Sequence, residues 1–290
     1  MNDLDKLLHR AHHLLERLEL IVPARHATPD WDGAVAFRWR RAGAQGALQP
    51  VRYLHAIRLA DLLGIDAQKE AVERNMRQFV QGLPANNVLL TGARGSGKSS
   101  LVKALLNEYA AQGLRVIEVA KHDLADLPDI IDLVAARPER FIVYCDDLSF
   151  AADEPGYQAL KAVLDGSVAA LSDNLLIYAT SNRRHLMPEY VAENLGTGYV
   201  GEEIHPGEGV EEKISLSERF GLWLSFYPFN QDEYLAIVTH WLRHFGGGEL
   251  GEEARRAALQ WALGRGSRSG RVACQFARDW AGRRSLQEKR

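Results

Sequence analysis

Short, nearly continuous apolar blocks alternate along the middle of the chain with longer segments whose apolar positions recur every three or four residues. The apolar blocks have the length of buried strands and lie at 87–91, 115–119, 141–145, 175–179 and 223–226. The other segments have the spacing of amphipathic helices and lie at 67–81, 98–111, 129–136 and 155–170. Strands that alternate with helices predict an α/β fold around a central parallel sheet, here of five strands.

The pattern changes beyond Pro228, where every periodic segment has helical spacing. Asn230 and Glu233 have the spacing of a capping box, which marks the beginning of a helix. We therefore expect a small all-helical domain at 229–290, after an α/β domain at 49–228.

The first part of the chain has a mixed pattern. Leucines at helical spacing predict an amphipathic helix within 2–20. Alternating apolar residues from Val35 to Trp39 predict a short strand, and 43–49 is a turn-rich break. We assign 1–48 to a small N-terminal module.

A phosphate-binding motif follows the first apolar block. Residues 92–99, Gly-Ala-Arg-Gly-Ser-Gly-Lys-Ser, fit the P-loop pattern G-x-x-x-x-G-K-[ST] between a strand and a helix. Backbone N–H groups in such a turn and the dipole of the following helix favour a phosphate anion. Lys98 is expected to reach the β- and γ-phosphates, and Ser99 to ligate Mg²⁺. The residues expected to bind nucleotide here are Gly92, Ala93, Arg94, Gly95, Ser96, Gly97, Lys98, Ser99 and Ser100.

Polar residues end two of the apolar blocks. Asp146 and Asp147 follow the block at 141–145, and Asn182 follows the block at 175–179. A P-loop site needs a carboxylate at a strand end to hold hydrated Mg²⁺, and we expect Asp146 in that metal-binding role. Asp147 is then placed to polarise the attacking water, and Asn182 to hold that water near the γ-phosphate.

From about Tyr53 to Arg284 the chain resembles the AAA+ ATPases, on the strength of these motifs. Helix 67–81 with Gly64 and Ile65 resembles the segment that covers the adenine in that superfamily. The resemblance implies a P-loop NTPase fold of the AAA+ type, in which the helical domain is a lid. It also implies that Ile65 contributes to the nucleotide site.

Three further positions match AAA+ motifs. Asn182 falls at the sensor-1 position, and Arg219, within 212–221, falls at the position of the trans-acting arginine finger. Arg271 matches the sensor-2 arginine, although Arg268 competes for that role. The 180–186 and 212–221 segments together also resemble an uncharacterised group of bacterial AAA+ proteins known only as a domain of unknown function.

The resemblance implies that nucleotide-bound chains associate into a ring, commonly a hexamer, because an arginine finger completes the site of a neighbour. Two departures limit it. The strand ends in Asp146-Asp147, whereas most AAA+ sites have Asp-Glu, and the shorter side chain has less reach. The region 120–126 contains no aromatic residue, which disfavours a threading unfoldase.

Composition adds few constraints. The chain has 290 residues, a formal net charge of −3 and only two cysteines. The charge gives no general attraction to nucleic acid, so DNA is a possible partner that nothing in the sequence indicates. Few cysteines, an acidic N-terminal segment and the lack of a long apolar run predict a cytoplasmic protein without a membrane partner.

Two other features have simpler explanations. His240 and His244 have the spacing of metal ligands on a helix, but no third ligand is near in sequence, so a packing or surface role is favoured. Arginines concentrate in the helical domain, where an ordinary solvated helix face is favoured over a DNA-facing strip.

The leading hypothesis is a cytoplasmic ATPase that uses ATP and Mg²⁺ to drive assembly or remodelling of an unknown protein or nucleoprotein partner. The alternative is a nucleotide-gated adaptor of the helicase-loader type, with little turnover. A P-loop kinase is disfavoured by the helical domain and by Asn182. GTP is disfavoured because the chain lacks the guanine-recognition motif of known GTPases.

Overall fold

The structure is a computed structural model that describes residues 29–42, 45–150, 154–166, 172–183, 186, 198–200, 203–205 and 216–288. Several sequence expectations fall wholly or partly outside these residues. Among them are the amphipathic helix within 2–20, the beginning of the break at 43–49, the end of the helix at 155–170, the middle of the 180–186 segment and the first part of the 212–221 segment.

The strands form one large sheet and one small one. In chain order they are β1 Ala36–Ala42, β2 Gln45–Pro50, β3 Val88–Gly92, β4 Leu114–Glu118, β5 Arg140–Cys145, β6 Leu175–Ser181, β7 Gly198–Val200, β8 Glu203–His205 and β9 Leu222–Phe226. The large sheet has the order β2-β1-β4-β5-β6-β3-β9. Only the β1–β2 pair in it is antiparallel, and β7 and β8 form a separate antiparallel pair.

The predicted α/β fold is confirmed, but the predicted number of strands is corrected from five to seven in the large sheet. The strand predicted near Val35 to Trp39 pairs in parallel with β4, with Ala36 opposite Val116. The segment 43–49, expected to be only a break, contains most of β2, which pairs with β1. Its Gly-, Gln- and Pro-containing sequence has weak strand preference, so pairing with the buried neighbour decides its conformation.

Seven α-helices lie among the described residues. They are α1 Asp66–Val80, α2 Lys98–Tyr109, α3 Leu127–Val134, α4 Pro155–Asp165, α5 Gln231–His244, α6 Glu252–Gly264 and α7 Gly270–Glu288. The segments Leu59–Asp61, Ala110–Gln112 and Lys121–Asp126 are short 3-10 helices. No helix in this part of the chain is both long and apolar enough to cross a membrane.

Alternation along the strands gives the sheet two covered faces. In β3, Val88 and Leu90 face the core that contains α1, α2 and the C-terminal helices, whereas Leu89 faces the core that contains α3 and α4. All three residues are fully buried.

Strands β5, β6 and β3 are neighbours in the sheet and run parallel. Their carboxyl ends therefore lie at the same edge of the sheet, which is where ligands bind in open α/β folds.

Candidate nucleotide-binding site

The P-loop is a tight turn held between β3 and α2. Gly92 has φ 121° and Gly97, which precedes α2, has φ 105°, in the region that glycine adopts at little cost. A Cβ on Gly92 would lie only 1.9 Å from the carbonyl oxygen of Phe226. The Ala93 N–H donates to that same carbonyl at 3.0 Å, so the beginning of the loop is fixed against β9.

Lys98 extends beneath this turn and is buried, with 5% of its surface exposed. Its Nζ donates to the carbonyl oxygens of Gly92 at 2.8 Å and Ala93 at 2.7 Å, and to Asn182 Oδ1 at 3.2 Å. Burial lowers the pKa of Lys98, while the carboxylates of Asp146 and Asp147 work in the opposite direction. The ammonium group is thus held where the turn would surround a phosphate.

Two hydroxyl groups donate hydrogen bonds to the carboxylate of Asp146, which directly follows β5. Ser99 Oγ donates to Asp146 Oδ1 at 2.7 Å, and Thr180 Oγ1 donates to the same oxygen at 2.6 Å. Burial works to raise the pKa of Asp146, but the hydroxyls of Thr180, Ser99 and Tyr144 outweigh it, and the pKa lies below its ordinary value. Asp146 is therefore ionised at neutral pH and tied to the beginning of α2.

Asp147 and Asn182 are joined directly. Asn182 Nδ2 donates to Asp147 Oδ1 at 2.5 Å, and the Asp147 N–H donates to Thr180 Oγ1 at 2.9 Å. Asp147 has φ 53°, a left-handed conformation that is uncommon outside glycine. Since Asn182 also accepts from Lys98, one carboxamide connects the P-loop lysine to the second aspartate.

A cavity of about 940 Å³ opens between this sheet edge and the C-terminal helices. At one end lie the polar residues from Arg94 to Ser100 with Asp146, Asp147 and Asn182. The other end is apolar and aromatic, and Ile65 lies between the two, 3.2 Å from a Cβ built on Gly97. The cavity size is typical of small-molecule sites.

Helix α5 supplies the aromatic end of the cavity. Ile237, Trp241 and Phe245 recur at helical spacing and line it. The rings of Trp241 and Phe245 are nearly parallel, with centroids 5.7 Å apart. The guanidinium of Arg278, on α7, lies 5.3 Å from the Phe245 ring centroid.

The two sensor-2 candidates occupy different cavities. Arg271, in the first turn of α7, lines the cavity of the P-loop. Arg268 lines a second cavity of about 790 Å³, on the other side of the loop against α6. The beginning of α7 is fixed by the Gly270 N–H, which donates to the Gly95 carbonyl at 2.9 Å.

Arg219 does not line the cavity that holds the other candidate catalytic residues. Its Nε is paired with Asp165 Oδ1 at the end of α4, and its side chain is 23% exposed. Within one chain the structure therefore brings together the P-loop, Asp146, Asp147, Asn182 and Arg271, and leaves Arg219 at another place.

Two residues near Asp146 were not singled out from the sequence. Thr180 binds both Asp146 and the backbone of Asp147, and the Tyr144 hydroxyl is among the groups that lower the pKa of Asp146. A tyrosine in an otherwise apolar strand, two residues before the aspartate and so on the same face, is a signal that could have identified Tyr144.

The two histidines of α5 contact residues of their own chain. His240 Nε2 lies 3.2 Å from Oδ1 of the buried Asp61, and His244 packs against Trp241 and Phe245. Among the described residues, no group of three or more His, Cys, Asp or Glu side chains could hold a metal ion.

The polar end of the cavity nevertheless has the donor set that magnesium prefers when phosphate oxygens complete its shell. Mg²⁺ takes hard oxygen ligands and is usually bound by one or two protein groups, water and substrate phosphates. The Ser99 hydroxyl and the ionised Asp146 carboxylate are such ligands, 2.7 Å apart. The residues present fit this ion.

Comparisons with known proteins agree with this geometry. Human Fidgetin-like protein 2 is 26% identical over 227 residues, which cover 70% of this chain and 33% of that protein. The chain thus spans about a third of the length of this relative.

Two solved structures share the fold. A Thermotoga maritima RuvB variant, R170A, has a TM-score of 0.50 and 14% identity, with 76% of this chain and 62% of that chain covered. A DNA replication initiation factor has a TM-score of 0.50 and 16% identity, with 81% and 70% covered. At these identities the likeness shows the AAA+ P-loop fold alone.

A family model described as "Protein of unknown function (DUF815)" matches residues 32–284. This match includes the whole large sheet, the P-loop and most of the C-terminal helices. The chain has the AAA+ fold and belongs to the DUF815 family.

Proposed function

We propose that this protein binds ATP with Mg²⁺ and hydrolyses its terminal phosphoanhydride bond. The observation that carries the proposal is the contact between Ser99 and Asp146, 2.7 Å apart, beside the buried ammonium of Lys98. These are the groups that a P-loop NTPase uses for the metal and for the β- and γ-phosphates. A nucleotide of this kind also matches the apolar end of the cavity, which suits a base.

Each residue has a separate task in this proposal. Bound Mg²⁺ would neutralise charge on the phosphates, with Ser99 and Asp146 as its protein ligands. Lys98 and the N–H groups of the P-loop would orient the phosphates. Asp147 would accept a proton from the attacking water, and Asn182, which touches both Asp147 and Lys98, would keep that water in line.

We further propose that Arg219 acts on the site of a neighbouring chain in a nucleotide-bound ring, commonly a hexamer. This proposal rests on the AAA+ position of Arg219 and on the observation that Arg219 does not line the cavity of its own chain. A guanidinium supplied by a neighbour would stabilise charge on the transferring phosphoryl group. Hydrolysis would then depend on assembly.

The free energy of ATP hydrolysis is proposed to drive assembly or remodelling of a protein or nucleoprotein partner, without threading of a polypeptide. The segment Lys121–Asp126 is a fixed 3-10 helix in which Asp123 and Asp126 are buried. Asp126 accepts from the Trp39 indole at 2.9 Å, and Lys121 donates to Glu154 at 2.8 Å. A segment held by both ends, with no aromatic residue, is poorly suited to grip a moving polypeptide.

A second candidate is a nucleotide-gated adaptor of the helicase-loader type, with little turnover. It is favoured by Asp147, whose side chain is one methylene shorter than that of the usual glutamate. The Asp147 carboxylate also already accepts a hydrogen bond from Asn182. The exposed arginines of the C-terminal helices leave DNA as a possible partner of such an adaptor. The cytoplasm is the proposed location for both functions, because Cys145 and Cys274 are both free thiols.

The two functions differ in how the ATPase rate per chain depends on protein concentration. An assembling ATPase should show a rate that rises with concentration and is lost in Lys98→Ala and Arg219→Ala. Asp165→Asn is the matched control, because it removes the ion pair of Arg219 and keeps the arginine. Tight ATP binding by the native chain with no turnover at any concentration would reject hydrolysis in favour of the adaptor.

A further inference from the structure

Tyr144 lies on the strand face that leads to the metal-binding carboxylate. Side chains two apart on a strand share a face, so Tyr144 and Asp146 point to the same side of the sheet, toward α2. Tyr144 belongs to the core under the P-loop helix and is only 4% exposed. Most positions of this face are aliphatic, and a hydroxyl there has to have a partner or incur a cost.

The Tyr144 hydroxyl is buried close to three polar side chains. Burial is the main cause that raises the pKa of Tyr144, and Asp146, Ser99 and Thr180 are near enough to contribute to it. Yet its oxygen makes no hydrogen bond of ordinary geometry with any residue that the structure describes. Buried polar groups without such a bond are rare and usually have a functional or structural reason.

A second tyrosine shows that the fold can satisfy a hydroxyl at this depth. Tyr178 on β6 is the register partner of Tyr144 on β5 and is also completely buried. Its hydroxyl accepts a hydrogen bond from Asn75 Nδ2 at 3.1 Å. The hydroxyl without a hydrogen bond is therefore that of Tyr144, two residues before Asp146, whereas the Tyr178 hydroxyl is bonded to Asn75.

We propose that Tyr144 is a positioning residue of the Mg²⁺ site, whose buried hydroxyl becomes a hydrogen-bond partner of the Asp146 carboxylate or the Ser99 hydroxyl when the ion is bound. The proposal rests on the function proposed above and deepens it. Groups behind metal ligands fix the orientation of those ligands, and their loss commonly lowers metal affinity. Tyr144 is buried and does not line the cavity, so it is not placed to contact the phosphates or the attacking water.

The test compares Tyr144→Phe with the matched control Tyr178→Phe, since each variant removes one buried hydroxyl from neighbouring strands. Binding of N-methylanthraniloyl-ADP is measured by fluorescence in EDTA and over a Mg²⁺ titration. In Tyr144→Phe we expect unchanged affinity in EDTA and an increase of about tenfold in the Mg²⁺ concentration at the midpoint. Tyr178→Phe should keep the native midpoint.

Hydrolysis provides a second readout. At saturating Mg²⁺, Tyr144→Phe should turn over ATP at nearly the native rate, because only ligand positioning has changed. Partial unfolding would reduce the fluorescence amplitude and leave the Mg²⁺ midpoint unchanged, so loss of stability cannot imitate the expected result.

Three results would overturn the inference about Tyr144. One is a native Mg²⁺ midpoint in Tyr144→Phe, and another is an equal shift in Tyr178→Phe. The third is lower turnover at saturating Mg²⁺ with an unchanged midpoint. In all of these the proposed ATPase function stands, whereas a native chain that binds no nucleotide would reject both proposals together.

Discussion

The two ends of the cavity are built by different physical means. At the phosphate end, side chains from β5, β6 and the P-loop bind one another through short hydrogen bonds, including Ser99 to Asp146 and Thr180 to Asp146. At the aromatic end, the side chains of Trp241 and Phe245 pack through ring contacts on one helix. Directional bonds fix position to within a few tenths of an ångström, whereas packing of partly buried rings tolerates more movement.

This difference suggests a division of work. The phosphate end is attached to the rigid sheet and would determine the chemistry. The aromatic end belongs to helices that contact the P-loop through few bonds, such as the Gly270 N–H to the Gly95 carbonyl. It would contribute affinity and report nucleotide binding through lid movement. Substitutions at the phosphate end should therefore have larger effects on turnover than those at the aromatic end.

The largest effect is expected for Lys98→Ala. Removal of a buried charge that faces the phosphates should lower turnover about a thousandfold and weaken nucleotide binding as well. Steady-state ATPase assays and fluorescent nucleotide titration measure both. Lys69→Ala is the control, because Lys69 pairs with Asp66 and Leu62. If turnover and nucleotide affinity fell equally in the two variants, the loss would not be specific to Lys98, and its assignment to the site would be wrong.

Asp146→Asn should lower turnover about a hundredfold, since it removes a charged metal ligand while keeping the side-chain shape. The pKa of Asp146 lies below its ordinary value, so the native carboxylate is charged at neutral pH and the variant lacks that charge throughout this range. Nucleotide affinity in EDTA should stay close to native. If affinity in EDTA fell as much as turnover, Asp146 would have a structural role instead.

Substitution of the two arginines that flank the beginning of α7 should have a smaller effect, on ATP affinity, that shows which of them has the sensor-2 role. Arg271→Ala should weaken ATP binding about tenfold, the loss expected for a charge-assisted hydrogen bond to phosphate. Arg268→Ala should change it little, because Arg268 lines the second cavity. Isothermal titration calorimetry measures both affinities, and the reverse order would assign the sensor-2 role to Arg268.

The smallest effect is expected at the aromatic end. Trp241→Leu should weaken ATP binding roughly fivefold through lost aromatic contact, with turnover at saturating ATP nearly unchanged. Trp261→Leu is the control, since Trp261 lies on α6 and does not line the P-loop cavity. A turnover loss in Trp241→Leu as large as that in Asp146→Asn would contradict the division of work between the two ends.

The phosphate end was largely predictable from the sequence because local rules determine it. Glycines that allow positive φ, a lysine at the first helical position and aspartates after an apolar strand each have a local physical reason. In the structure Ser99 donates to Asp146, and Lys98 donates to Asn182. Thr180 was missed because its hydrogen bonds with Asp146 and Asp147 are made between strands.

The rest of the fold depends on pairing that the sequence does not encode locally. Strand β2 was expected to be a break, since its residues have weak strand preference, but Arg38 to Gln49 and Trp39 to Leu48 pairing places it on the sheet. Similarly, the contribution of Trp241 to the cavity results from how α5 packs. The predicted domain boundaries at 48 and 228 stay predictions.

The most direct test of the central claim mixes two inactive variants. Lys98→Ala chains would lack a working P-loop but keep Arg219, and Arg219→Ala chains would have the opposite defect. If Arg219 acts on a neighbour, an equal mixture should regain about a quarter of the native rate per chain, because random assembly pairs intact halves at that frequency. A mixture as inactive as its separate components, when both variants still assemble, would contradict a site shared between chains.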